Sequence, residues 1–151
     1  MATTTVESRA LLSAEKLLGG VDVLIEEPRS SLEWVGLIRR GVPSGAVDAL
    51  AASTRLTRSE LAAALGIPAG TLVRRKREGT LSSEESAKLL RLARVVERAS
   101  EVFEELGTAL DWLRSPNAAL SAVTPLSLLD TDIGAETVLD TLGRIEHGVF
   151  G

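Results

Sequence analysis

An apolar repeat with the helical period runs through Leu89, Leu92, Ala93, Val96, Ala99, Phe103 and Leu106. A pattern of that length buries one stripe and closes its own backbone hydrogen bonds only as an amphipathic helix. Ser82 and Glu85 precede it at the spacing of a capping box, so a long helix is expected to begin there. Its opposite face carries Arg91, Arg94, Glu97, Arg98, Glu101 and Glu104 and reads as solvated. The core such a helix can join is aliphatic: aromatic residues make up 3% of the chain and Tyr is absent. Leu, Val, Ile and Ala must fill it, which favours an all-α fold. At 151 residues and 44% hydrophobic content, the chain can form one well-buried core or two small ones without a covalent staple.

Shorter helical patterns flank this segment. Leu11, Leu12, Lys16, Leu17 and Leu18 suggest a first helix stopping at Gly19 and Gly20, and Pro28 marks a further break before the next helical pattern. Residues 31–39 place Leu32, Val35 and Ile38 on one side. Pro43 and Ser44 open a further helix turning Val47, Leu50 and Ala51 inward. A short helix over residues 109–113 ends at Ser115 and Pro116, and a loop of small residues leads from there to Pro125. Thr131 and its flanking acids precede a last helix with the stripe Ile133, Val138, Leu142 and Ile145, and Gly148 terminates it. We divide the chain into an N-terminal helical domain, residues 1–80, and a C-terminal helical domain, residues 81–151.

Residues 57–79 carry the most specific local signal. Thr57 and Glu60 form a second capping-box pair, with Leu56 placed to staple across onto Leu61. Gly66 suits a sharp turn at positive φ, Pro68 belongs in the first turn of the next helix, and Ile67 and Leu72 lock the two helices together. Helix, glycine turn and second helix make a DNA-reading unit, although an ordinary helical hairpin shares every one of these packing demands. The cations weigh towards DNA. Between Arg55 and Glu78 stand six basic residues, including Arg58, Arg74, Arg75, Lys76 and Arg77, against Glu60 and Glu78. Ala69 and Gly70, where base edges are normally touched, offer no polar side chain. Thr71, Arg74 and Arg75 are therefore the expected base or groove contacts, and Arg58, Lys76 and Arg77 the phosphate contacts. The net charge of −4 arises elsewhere, chiefly from the acids of residues 101–146.

The stretches Gly70-Thr71-Leu72-Val73-Arg74-Arg75-Lys76-Arg77-Glu78-Gly79, Trp112-Leu113, Pro116-Asn117-Ala118-Ala119-Leu120, Thr124-Pro125-Leu126 and Leu142-Gly143-Arg144-Ile145-Glu146-His147-Gly148-Val149 together resemble the antitoxins of the Xre/MbcA/ParS type that partner RES-domain toxins. The family commonly has Tyr where this chain has His147. The resemblance implies an Xre/Cro-like helix-turn-helix domain followed by a small toxin-binding domain in a bacterial cytoplasmic protein. It implies a homodimer that binds a palindromic operator, represses its own operon and sequesters a toxin that consumes NAD. It assigns toxin contact to Trp112, Pro116, Asn117, Leu126, Arg144, Ile145, Glu146, Gly148, Val149 and Phe150. From the residues alone, Trp112 reads as core ahead of contact, while for Val149 and Phe150 on a glycine-flanked tail insertion into a partner's pocket stands as the alternative to fraying.

Catalysis is not expected, since His147 is the only His and neither Cys nor Tyr occurs. The absence of Cys excludes disulfides and thiolate metal sites, and no cofactor or metal is anticipated. No apolar run approaches the roughly 20 residues that span a bilayer, and MATTTVESRALL lacks the pattern of a signal peptide. Two other classes remain open at this level: a helix-turn-helix regulator sensing a small ligand through its C-terminal domain, and an interaction module that binds no DNA.

Overall fold

The computed structural model describes residues 13–148. Among them the helices are α1 (Ala14–Leu17), α2 (Gly20–Leu24), α3 (Ser31–Arg40), α4 (Gly45–Thr54), α5 (Arg58–Leu65), α6 (Ala69–Glu78), α7 (Ser83–Phe103), α8 (Leu106–Arg114) and α9 (Asp132–Glu146). Two 3₁₀ turns, Ala118–Leu120 and Pro125–Leu128, lie between α8 and α9, and the described residues contain no strand. None of these helices is long and apolar enough to cross a membrane.

Helix α7 is the organising element. Its capping box closes both ways: the Glu85 N–H donates to the Ser82 hydroxyl at 3.1 Å, and the Ser82 N–H to the Glu85 carboxylate at 2.8 Å. Leu89, Leu92, Ala93, Val95, Val96 and Ala99 are sealed from solvent, and α1, α3, α5, α8 and α9 all pack on this helix. The buried apolar side chains of the described residues belong to one cluster, from Ala14 through Leu142. The repeat does not continue to Leu106 in a single helix, however. Glu104 adopts a left-handed conformation, φ 61°, so the chain turns and Leu106 opens α8.

Several expected stripes sit differently. In α3, Leu37 is buried and Trp34 packs on the core, whereas Leu32 is 82% exposed and Val35 37%. In α9 the buried residues are Ala135, Val138, Thr141 and Leu142, and Ile133 is 77% exposed. The first helix does stop at the expected glycines: α1 ends at Leu17, Gly19 takes φ 101°, and Gly20 opens the short α2. Leu11 and Leu12 lie outside the described residues. In α4, Leu50 is fully buried as expected, with Ala46 beside it and Val47 and Ala51 half-buried.

The start of α9 is held close by a glycine. A Cβ at Gly134 would overlap the Leu128 carbonyl, backbone that cannot swing away as a side chain could. Gly134→Ala is therefore expected to cost about 1–3 kcal/mol, the usual penalty of forcing atoms into a filled site. Urea denaturation should show a lower midpoint with an unchanged slope.

Candidate nucleic-acid interface and partner surface

The α5-turn-α6 unit is built as its local chemistry dictates. Thr57 and Glu60 exchange both capping bonds, with the Glu60 N–H on the Thr57 hydroxyl at 3.0 Å and the Thr57 N–H on the Glu60 carboxylate at 2.9 Å. Leu56 and Leu61 are buried beside them, as a staple requires. Gly66 makes the turn at φ 66°, a conformation that carries little steric penalty without a Cβ. Pro68 stands at the N-cap of α6, one position before the expected first turn. Ile67 and Leu72 are buried and fix α6 against α5.

This unit is also clamped from the C-terminal half. The Arg114 guanidinium donates Nε to Glu60 Oε2 at 3.0 Å and Nη2 to Glu60 Oε1 at 3.1 Å, and Nη2 also reaches the Arg55 carbonyl at 3.1 Å. That fork holds the Glu60 carboxyl below its ordinary value, with the Thr57 N–H adding to the effect. Gly66 backs onto Asp130.

The basic residues of α6 then divide into two kinds. Arg75 is half-buried: its Nε donates to Glu85 at 2.7 Å and its Nη1 to Glu78 at 2.7 Å. It joins the end of α6 to the capping box of α7. A groove contact by Arg75, as expected from the sequence, would therefore require it to leave these two carboxylates. Thr71 is likewise half-buried rather than fully presented. Arg58, Arg74 and Arg77 are exposed and form no ion pair among the described residues, and Lys76 pairs loosely with Asp48 at 3.7 Å. Arg58 and Lys76 line one cleft of about 270 Å³ with Val47, Leu72 and Val73, which brings the start of α5 and the flank of α6 to a common surface. Val73, not anticipated as a site residue, is half-exposed there. The signal was available, because it stands three residues after Gly70.

In the C-terminal half, Trp112 is half-buried with its ring 5.7 Å from that of Phe103, so it packs against α7. Leu126 is buried in the core cluster, which removes most of it from any contact surface. Pro116 is exposed. Asn117 builds the loop after it: its side-chain oxygen accepts from the Ala119 N–H at 2.8 Å, its N–H donates to the Val123 carbonyl at 3.0 Å, and its carbonyl accepts from the Ala122 N–H at 2.8 Å. Ser121 and Ala122 both take positive φ, 59° and 63°, an uncommon pairing for residues with a Cβ. Arg144 and Glu146 are exposed and Ile145 half-buried on α9. Glu146 receives both ends of the Arg98 fork, at 2.6 and 3.0 Å, and that guanidinium lowers its pKa. Gly148 is exposed, and Val149 and Phe150 lie outside the described residues. Hence Arg91, paired with Asp132 and the Leu129 carbonyl, and Arg98 are structural ties rather than parts of a solvated face. Among the described residues no cluster of His, Cys, Asp or Glu is arranged to hold a metal ion.

Burial alone would push the Glu85 carboxyl up, but Arg75 and the Ser82 N–H and hydroxyl outweigh it and hold it below the ordinary value of 4.5. A carboxyl depressed on folding contributes stability that is complete above its unfolded value and lost as pH falls through its folded one. Glu85→Ala should therefore lower stability by about 1–2 kcal/mol at neutral pH, the scale of a lost cap. The difference from the parent should shrink in urea titrations run progressively below pH 4.5. A difference that stays constant with pH would mean that only packing was lost.

Comparison with known proteins gives two adjoining matches. Residues 33–94 match the model of the antitoxin Xre-like helix-turn-helix domain. Residues 98–148 match that of the antitoxin Xre/MbcA/ParS C-terminal toxin-binding domain. The antitoxin Xre of Yersinia enterocolitica is 36% identical over 118 residues, covering 77% of this chain and 80% of the relative. The antitoxin Xre of Photorhabdus laumondii is 31% identical over 115 residues, 75% and 78% of the two chains. A Prs ADP-ribosylating antitoxin of a Sphingobium species is 29% identical over 131 residues, 80% and 82% of the two chains.

Proposed function

The chain belongs to the Xre antitoxin family, with a helix-turn-helix domain and a toxin-binding domain, and on that premise we propose that it neutralises a RES-type, NAD-consuming toxin and represses its own operon. The family is one of toxin-neutralising regulators rather than enzymes. The observation that carries the DNA-binding half is the sorting of the arginines. Arg75 and Arg114 are engaged inside the fold, while Arg58, Arg74 and Arg77 are left exposed on the α5–α6 unit, free to displace counterions from phosphates. The corresponding mode of operator binding is a homodimer on a palindromic site, since two-fold proteins read two-fold DNA. The exposed apolar residues Val21, Ile25 and Leu32 of the α2–α3 region favour such a self-contact.

The toxin surface comprises the Asn117–Val123 loop and the end of α9. Cross-loop hydrogen bonds hold Ser121 and Ala122 in left-handed conformations, and strain of this kind persists where a shaped surface is needed. Arg98 anchors Glu146 and so fixes the end of α9, which in the sequence directly precedes the tail Gly148-Val149-Phe150. We assign that tail to the mouth of the toxin's active site. An ADP-ribosylating chemistry, named for the Sphingobium relative, consumes NAD and supports a toxin of that class. The setting is the bacterial cytoplasm.

Two measurements test this reading. Cells expressing the toxin encoded beside this chain should keep their NAD pool and grow when the full chain is present, and lose both when it is truncated before Gly148. Equal rescue by the truncated chain would dispose of the tail. On promoter DNA, the paired change Arg74→Ala and Arg77→Ala should weaken binding and reduce the slope of log affinity against log salt by up to about 4 for the homodimer, about one per lost phosphate contact with two contacts in each protomer.

A further inference from the structure

Gly70, Val73, Arg74 and Arg77 are spaced i, i+3, i+4 and i+7 along α6 and share its outward face, away from buried Leu72 and ion-paired Arg75. Two of these residues are odd choices on internal grounds. Glycine weakens a helix, yet a Cβ at Gly70 would meet nothing within 4 Å, so packing within the chain does not require it. Val73 is 43% exposed although its neighbours Arg74, Lys76 and Arg77 are all cations. The other large exposed apolar residues lie in the α2–α3 region, on the Asn117–Val123 loop or at the start of α9. Val73 alone among them is set in a basic surface.

An apolar partner would have to desolvate those cations to reach Val73, whereas a polyanion with an apolar spot between its charged edges would pair with all of them. Duplex DNA has that layout in the major groove, where thymine alone offers a methyl group between two lines of phosphate. We propose that Val73 reads a thymine C5-methyl group, and that Gly70 is bare so that the backbone of α6 can approach the base edges closely enough for that contact. Arg74 and Arg77 flank it on bases or phosphates. This rests on the DNA-binding half of the proposed function and adds to it a residue that sets sequence preference.

The test begins with duplexes selected by the full-length protein from a randomised pool, in which each thymine of the enriched sequence is replaced in turn by deoxyuridine, removing only the methyl. Fluorescence anisotropy at fixed salt should show about a threefold to fivefold loss at one position in each half-site, the effect of one methyl-sized burial. Val73→Ala should bind thymine and deoxyuridine duplexes equally, with an unchanged salt slope. Gly70→Ala should weaken binding tenfold or more while its melting temperature stays level or rises, because the added methyl meets no protein atom. Indifference of the parent to every deoxyuridine, or a Val73→Ala variant with the parent's sensitivity, overturns the assignment of Val73. A Gly70→Ala variant that binds as the parent does overturns the close approach. A pool that yields no enriched sequence and no salt-dependent binding overturns the DNA-binding reading itself, and this inference with it.

Discussion

Helix α7 presents an apolar stripe too wide for any single neighbour to cover, and the rest of the described chain is arranged around that demand. Leu89, Leu92, Ala93, Val95, Val96 and Ala99 are all fully buried, and helices from both halves of the sequence contribute to burying them. The segments that match the two family domains meet within α7, at residues 94 and 98. The stripe that seats α5 therefore lies on the same rigid rod as the one that seats α8 and α9. A helix terminus placed against such a rod is held by packing rather than by its own short-range bonds, which is how most helices in proteins persist.

Arginines turn this packing into fixed geometry. Arg75, Arg91, Arg98 and Arg114 each tie one helix to another element. Exposed ion pairs contribute little to stability, so their effect is better measured in position than in energy. The fork from Arg114 falls on Glu60, the same carboxylate that caps α5, and the first turn of the helix-turn-helix is thereby registered against α8. Arg75 does the same for the last turn of α6 through Glu85. With both ends of the unit braced, the remaining cations of α6 project from a face whose orientation is set by the fold.

Much of this was legible locally. Ser82 with Glu85 and Thr57 with Glu60 were readable as capping boxes because a capping box lies within four residues, and Gly66 as a turn because glycine is the usual residue there. Contacts made across the chain were not. Little near Arg75 in the sequence distinguishes it from Arg74: Glu78 stands within one turn of both, and the carboxylate that ties Arg75 to α7 is Glu85, ten residues on, brought round by the turn at Gly79. Periodicity found α3 but chose the wrong stripe, because Trp34 and Leu37 offer a second apolar face beside Leu32 and Val35. The break at Glu104 has no local signature, for a non-glycine residue at positive φ is imposed by the helices it separates. Exposure was equally hard to read: Leu126, expected at the contact surface, is buried in the core cluster, while Val73, given no role from the sequence, is half-exposed.

The departures from local consistency are informative because they are few and grouped. A glycine without a packing role at Gly70 adjoins an exposed valine among cations. Two successive left-handed residues, Ser121 and Ala122, sit in the segment matched to toxin binding. Ile25, β-branched and 79% exposed, takes φ 67° next to the exposed stripe of α3. Natural sequences break local rules where function requires it and compensate elsewhere. Here the compensation is visible in the two closed capping boxes, the single shared core and the arginine ties. A chain with one shared core among its described residues can hold strained or poorly solvated residues at three separate surfaces, and these are the surfaces on which we propose the reading of DNA, the toxin contact and the two-fold contact.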